Sequence, residues 1–257
     1  MQRTRANAIR ERKGTRFATI TAYDAAFGRF AEAAGIDVIL VGDSLGNVVL
    51  GYDSTVSVTM EDMERHGAAV ARGTQKAHVV VDMPFMSYEP SDEEAVRNAG
   101  RLIRAGASSV KLEGGVDRAG RIAAIVKAGV PVMGHIGVVP QTAALSGGFR
   151  RRTDGEQLMA DAQAVADAGA YAIVLEMVDG EIARDITAKI AIPTIGIGAG
   201  TACDAQILVL YDLLGLSAEM PSFAKPYADV ASVATDALRR YAADVVSGAY
   251  TAEGAKK

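Results

Sequence analysis

The chain has 257 residues, 49% hydrophobic and 23% charged, with a formal net charge of −4. That composition supports a large core, excludes wholesale disorder, and argues against a protein whose work is to neutralise nucleic-acid phosphates. The single cysteine, Cys203, excludes an internal disulfide and any Cys-rich zinc or iron–sulfur site.

The opening MQRTRANAIRERKGTR carries six basic residues and one acid, with no apolar run behind it. It reads as a solvated amphipathic helix over about 4–13 rather than a targeting segment, which makes the cytoplasm the expected compartment. Strand-like runs then follow at RFATITAYD (16–24), DVILVGDS (37–44), HVVVDMPF (78–85) and SSVKLEGG (108–115). Four more are VPVMGHIG (130–137), AYAIVLEMV (170–178), PTIGIGAG (193–200) and the weaker QILVLYDLLG (206–215). Helix-like segments rich in Ala, Glu and Arg lie between them at 25–35, 92–106, 117–129 and 155–169, and a last helix is expected over about 226–248. The longest stretch without a charged residue, 128–149, is broken by Pro131, Pro140 and several glycines, so it cannot span a bilayer as a helix.

The punctuation repeats. Four helical segments end in Gly35, Gly106, Gly129 and Gly169, each shortly before a strand; glycine takes the left-handed conformation that stops a helix. Ser91 with Glu94, and Thr59 with Asp62, have the spacing of N-terminal capping pairs. Several strands are apolar almost throughout, as in a parallel sheet covered on both faces. Eight strands with intervening helices and no linker predict a single-domain (β/α)8 TIM barrel over 1–257; a doubly wound open sheet is the alternative.

Polar residues interrupt these strands at or near their C-terminal ends: Asp24, Asp43 with Ser44, Asp82, Lys111 with Glu113, His135 and Glu176. In a barrel those ends share one mouth, where active sites lie. Each residue taken alone has a structural reading: Asp24 as a helix cap, His135 as a bonded core histidine, Lys111 and Glu113 as an ion pair. Together, carboxylates converging from several strand ends repel one another and call for a cation. Oxygen donors at Asp43, Asp82 and Glu113 suit a hard ion such as Mg²⁺. Glu176, in the apolar VLEMV, has the setting of a general base. Lys111 is either a cation for an anionic substrate or a Schiff-base nucleophile. GIGAG (196–200) lacks the dinucleotide-binding spacing, the Arg150–Arg151–Arg152 run reads as a solvated loop able to attract an anion, and Cys203 reads as inert.

At these residues the chain resembles the ketopantoate hydroxymethyltransferase family. The resemblance runs from about Thr19 to Lys225 through TAYD (21–24), LVGDSLGNVVLGYDST (40–55), VVDMPFMSYE (80–89), VKLEGG (110–115), PVMGHIGVVPQ (131–141), VLEMV (174–178), IPTIGIGAG (192–200) and SFAKPYAD (222–229). It implies a (β/α)8 barrel, a homo-decamer, one Mg²⁺ per subunit and 5,10-methylenetetrahydrofolate as one-carbon donor to 3-methyl-2-oxobutanoate. It further implies Asp43 and Asp82 as metal ligands with Glu113 nearby through water. Ser44, Lys111 and His135 are then contacts to the keto acid, alongside the two aspartates, and Glu176 is the proton acceptor. No nucleic-acid or membrane partner is expected. A different Mg²⁺-dependent lyase or aldolase acting on another 2-oxo acid, and a non-enzymatic binding protein, are the competing readings. The sequence departs from the family pattern at MERHGAAV (63–70), Thr142, GGFRRRTDG (147–155) and Ala205, all expected in loops bordering the second substrate.

Overall fold

The computed structural model describes residues 3–143 and 148–250, in two compact units, Met1–Val209 and Leu210–Lys257. Gly147, the first residue of the 147–155 departure, lies outside the described residues.

The first unit is a closed, all-parallel barrel. Its eight strands are β1 (Phe17–Thr21), β2 (Val38–Val41), β3 (His78–Asp82), β4 (Ser109–Glu113), β5 (Val132–Gly137), β6 (Ala172–Glu176), β7 (Thr194–Ile197) and β8 (Ala205–Leu208). β8 pairs back onto β1 through Phe17 and Ala205, which closes the sheet. The expected TIM barrel is therefore the fold, with helices between the strands. The helix-ending glycines behave as their positions predict: Gly35, Gly106, Gly129 and Gly169 all have φ between 82° and 114°. Thr59 and Asp62 form a reciprocal capping box at the start of Met60–Gly73, and Ser91 Oγ accepts from Glu94 N–H at the start of Asp92–Ala105.

Successive strand residues face opposite sides of a sheet, and this parity sorts the barrel interior into layers. Val38, Leu40, Val80, Met133, Val174 and Ile195 form its apolar middle. At the N-terminal end of the strands, His78, Ser109 and Tyr171 form a buried polar cluster, and Ile9 from the helix Ala6–Arg10 packs into the same core. The N-terminal segment thus differs from the solvated helix expected over 4–13. Arg3 donates to Thr74 Oγ1 and to the carbonyls of Ala71, Thr74 and Ala77. Arg12 pairs with Asp37 and Lys13 with Asp204. The basic residues sew the segment to the barrel floor instead of merely solvating it.

The second unit contains short Leu210–Leu213 and long Val230–Ser247 helices. Asp229 caps the long helix by accepting from Ser232 N–H, and Gly248, at φ 74°, ends it. Among the described residues, no helix is long and apolar enough to cross a membrane.

Candidate active site

The mouth of the barrel collects the polar residues because register sets them side by side. Asp82 of β3 is in register with Lys111 of β4, Glu113 with His135 of β5, and Gly137 with Glu176 of β6. In β4 the inward set is Ser109, Lys111, Glu113, polar at every step, while Val110 and Leu112 alternate to the helix side. Asp43, which follows β2 after Gly42, joins them: its backbone N–H donates to Asp82 Oδ2 at 3.0 Å. Asp43, Asp82, Lys111, Glu113 and His135 are all buried.

The contacts link these acids and bases into one network. Lys111 Nζ lies 2.9 Å from Asp82 Oδ1 and 3.2 Å from His135 Nδ1. His135 lies between two carboxylates, with Nδ1 3.3 Å from Glu113 Oε1 and Nε2 3.3 Å from Glu176 Oε2. Asp82 Oδ1, Glu113 Oε1 and His135 Nε2 are buried without an aligned hydrogen-bond partner, so these approaches are charge contacts. Glu176, its side chain 17% exposed, is the carboxylate that opens toward solvent. It faces an imidazole, whereas its sequence neighbours had suggested an apolar wall.

Burial, reinforced by the Asp82 and Glu113 carboxylates, pushes the Asp43 carboxyl well above its usual range. Burial also raises Asp82, with Lys111 offsetting part of the rise. Glu113 is held below its usual value because His135 and Lys111 outweigh its burial. Burial and the Lys111 charge oppose protonation of His135, yet Glu113 and Glu176 lift it to about 9. Lys111 is raised despite its burial by Asp82, Glu113 and Asp43. A lysine so held stays an ammonium, which favours its electrostatic reading over the Schiff-base one.

Ser44 follows Asp43 and shares a hydrogen bond of 2.9 Å with Tyr23 OH. A side chain on Gly42 would place its Cβ 2.9 Å from Ser44 Oγ, so glycine keeps that approach open. Asp24 is not part of the cluster: it caps the helix Ala25–Ala33 by accepting from Phe27 N–H. Cys203 is buried, and burial raises its thiol, in keeping with an inert role.

Three contributors escaped the sequence reading. Gln141 and Tyr88 sit beside the carboxylates, uncharged and so without an electrostatic signal. Met177, directly after Glu176, takes a left-handed φ of 48°, a conformation normally left to glycine, and its N–H donates to Ile197 O. The arginine run is fixed to this exit. Arg152 N–H donates to Met177 O, and Arg151 Nη1 donates to the carbonyls of Val178 and Gly198.

The profile of the ketopantoate hydroxymethyltransferase family matches residues 3–253. The chain belongs to this family. Among its relatives, the 3-methyl-2-oxobutanoate hydroxymethyltransferase of Pyrobaculum islandicum is 54% identical, the match covering 91% of each chain. That of Ignicoccus hospitalis is 51% identical over 95% of this chain and 94% of its own, and that of Caldicellulosiruptor saccharolyticus 48% identical over 94% and 93%. Membership makes the protein an enzyme, a transferase of the pantothenate pathway. Among solved structures, phosphoenolpyruvate phosphomutase from Streptomyces platensis subsp. rosaceus superposes with a TM-score of 0.66 at 16% identity, over 95% of this chain and 88% of that one. Phosphonopyruvate hydrolase gives 0.65 at 15% identity over the same shares. At that identity the likeness carries the barrel fold alone.

The departures from the family pattern are not all in loops. The 63–70 stretch is helical, and its His66 Nδ1 meets Tyr23 O at 2.6 Å. Ala205 is a buried residue of β8. The Arg151–Arg152 segment adjoins the residue after Glu176, closer to the carboxylate cluster than its loop character suggested.

Proposed function

We propose that this protein transfers a hydroxymethyl group from 5,10-methylenetetrahydrofolate to 3-methyl-2-oxobutanoate, giving 2-dehydropantoate and tetrahydrofolate. The observation that carries the reading is the register of Asp82 with Lys111 and of Glu113 with His135, in a member of this family, beside the solvent-facing Glu176.

The residues present fit one Mg²⁺ per chain. The candidate donors are all oxygens, and Asp82 Oδ1 and Glu113 Oε1 are buried without an aligned donor. Fully ionised, the four carboxylates against protonated Lys111 and His135 would carry an excess of two negative charges, which a dication cancels. Among the described residues no three His, Cys, Asp or Glu side chains form a ready-made cage. Mg²⁺ does not require one, since it uses one or two carboxylates and completes its shell with water and substrate oxygens. Asp43 and Asp82 would hold it, with Glu113 alongside through water. When bound, the ion draws charge from the keto and carboxylate oxygens of the acid.

The side chains divide the remaining work. Lys111 attracts the carboxylate of the keto acid, and Ser44 and His135 offer hydrogen bonds to its oxygens. Glu176 removes the C3 proton, and the resulting carbanion attacks the folate's methylene carbon. Both bonds from that carbon to the folate nitrogens break, and water supplies the hydroxyl oxygen. The proton from C3 and one from water end on the two nitrogens. The reading includes the homo-decamer that the resemblance implies and the cytoplasmic setting expected from the N-terminal sequence.

The test is turnover by purified protein with Mg²⁺, 3-methyl-2-oxobutanoate and 5,10-methylenetetrahydrofolate, followed by mass spectrometry. Formation of 2-dehydropantoate supports the reading. Enolisation of the keto acid with no consumption of the folate rejects the transfer and favours a lyase or aldolase on another 2-oxo acid.

A further inference from the structure

Beside the carboxylates, one neutral amide ties three strand ends together. Gln141 follows β5 and is buried, as is Tyr88 in the loop after β3. Gln141 Nε2 donates to Asp43 Oδ2 at 2.8 Å and to Met83 O at 2.9 Å. Its Oε1 accepts from Tyr88 OH at 2.6 Å, while Glu113 N–H reaches Tyr88 OH at 3.3 Å. The backbone N–H of Gln141 donates to Glu113 Oε2 at 3.1 Å. Both amide protons are therefore in use, and the amide cannot turn over without setting its oxygen against Met83 O. The effect on the acids is selective. One oxygen of Asp43 and one of Glu113 are engaged by Gln141, while Glu113 Oε1 is left without an aligned partner.

We infer that Gln141, oriented by Tyr88, is a positioning residue whose amide holds one oxygen of Asp43 and leaves the other for the cation. The inference rests on the proposed reading of Asp43 and Asp82 as the cation site. Without the amide, Asp43 is free to rotate and loses a donor that shares its negative charge. The effect should appear in ion affinity before any substrate is present. Partners that orient metal ligands from behind typically contribute about 10–100-fold to affinity.

The experiment is titration of the full-length protein with Mn²⁺ as a spectroscopic substitute for Mg²⁺. Free ion is read by electron paramagnetic resonance without substrate, and folding is followed by circular dichroism. Gln141→Met keeps the volume and the backbone N–H to Glu113 but removes the side-chain hydrogen bonds; it should raise the Mn²⁺ Kd about 10–100-fold. Tyr88→Phe should raise it less, because Tyr88 reaches Asp43 only through the amide. A Gln141→Met protein that folds and binds Mn²⁺ within about twofold of wild type overturns the inference while leaving the cation site standing. If Gln141→Met fails to fold, a Tyr88→Phe protein with wild-type affinity overturns it in the same way. Failure of wild type to bind Mn²⁺ overturns the cation reading itself, and this inference with it.

Discussion

The floor of the barrel makes a quantitative prediction about stability and pH. His78 Nδ1 lies 2.8 Å from Thr4 O and must donate to it, which leaves Nε2 to accept from Ser109 Oγ at 2.8 Å. Tyr171 OH closes the cluster at 2.9 Å from Ser109 Oγ and 3.2 Å from His78 Nε2. That arrangement suits a neutral imidazole. Burial is the chief cause that lowers His78 to about 4, and the nearby Arg3 charge works in the same direction. An unfolded histidine titrates near about 6.5, so the shift is worth about 3 kcal/mol at about 1.4 kcal/mol per unit. The folded state binds the proton less well than the unfolded one. This contribution is therefore fully present above about pH 6.5 and is lost as pH falls toward about 4, with about 2 kcal/mol gone by about pH 5. The assay is urea unfolding of wild type and His78→Gln between about pH 5 and 7. The substitution removes the titrating group, so the stability gap between the two proteins should narrow by about 2 kcal/mol across that range. A gap constant to within about 0.5 kcal/mol would refute the reasoning, because it would mean that His78 titrates alike folded and unfolded.

Two further substitutions separate the site from its scaffold. Gly137 has φ 100°, and a Cβ there would lie 2.2 Å from Glu176 O. Gly137→Ala should therefore destabilise the protein by at least about 2 kcal/mol in denaturant melts, and reduce turnover more than that loss of folded protein explains. Asp24→Ala should cost about 1 kcal/mol of stability through the lost cap and leave turnover by the folded protein unchanged, whereas Asp43→Ala should abolish it.

The repeating architecture was legible in the sequence because its signals are local. Left-handed glycines at Gly35, Gly106, Gly129 and Gly169 and the Thr59–Asp62 capping box need only a few neighbouring residues, and they marked the βα units correctly. The polar strand ends were legible as well. Their partnerships were not, since the meeting of Asp82 with Lys111 depends on the register between strands. Neutral groups escaped for a different reason: Gln141 and Tyr88 carry no charge in an otherwise charged constellation, and only their hydrogen bonds reveal them. At the N-terminus a run of basic residues suggested solvation, but the deciding residue was Ile9, a single apolar side chain too isolated to create a helical pattern. Glu176 was read from its apolar sequence neighbours. Alternation turns those neighbours away, and the residue it meets, His135, comes from the adjacent strand.

The central claim is that Glu176 takes the C3 proton while the neighbouring acids hold a dication. It is tested most directly by deuterium exchange at C3 of 3-methyl-2-oxobutanoate in D₂O without folate, comparing wild type with Glu176→Gln, each with Mg²⁺ or with a chelator. Exchange by wild type should require Mg²⁺ and should fall about 100-fold or more in Glu176→Gln. Exchange at the wild-type rate in Glu176→Gln, or undiminished exchange in chelator, would contradict the account.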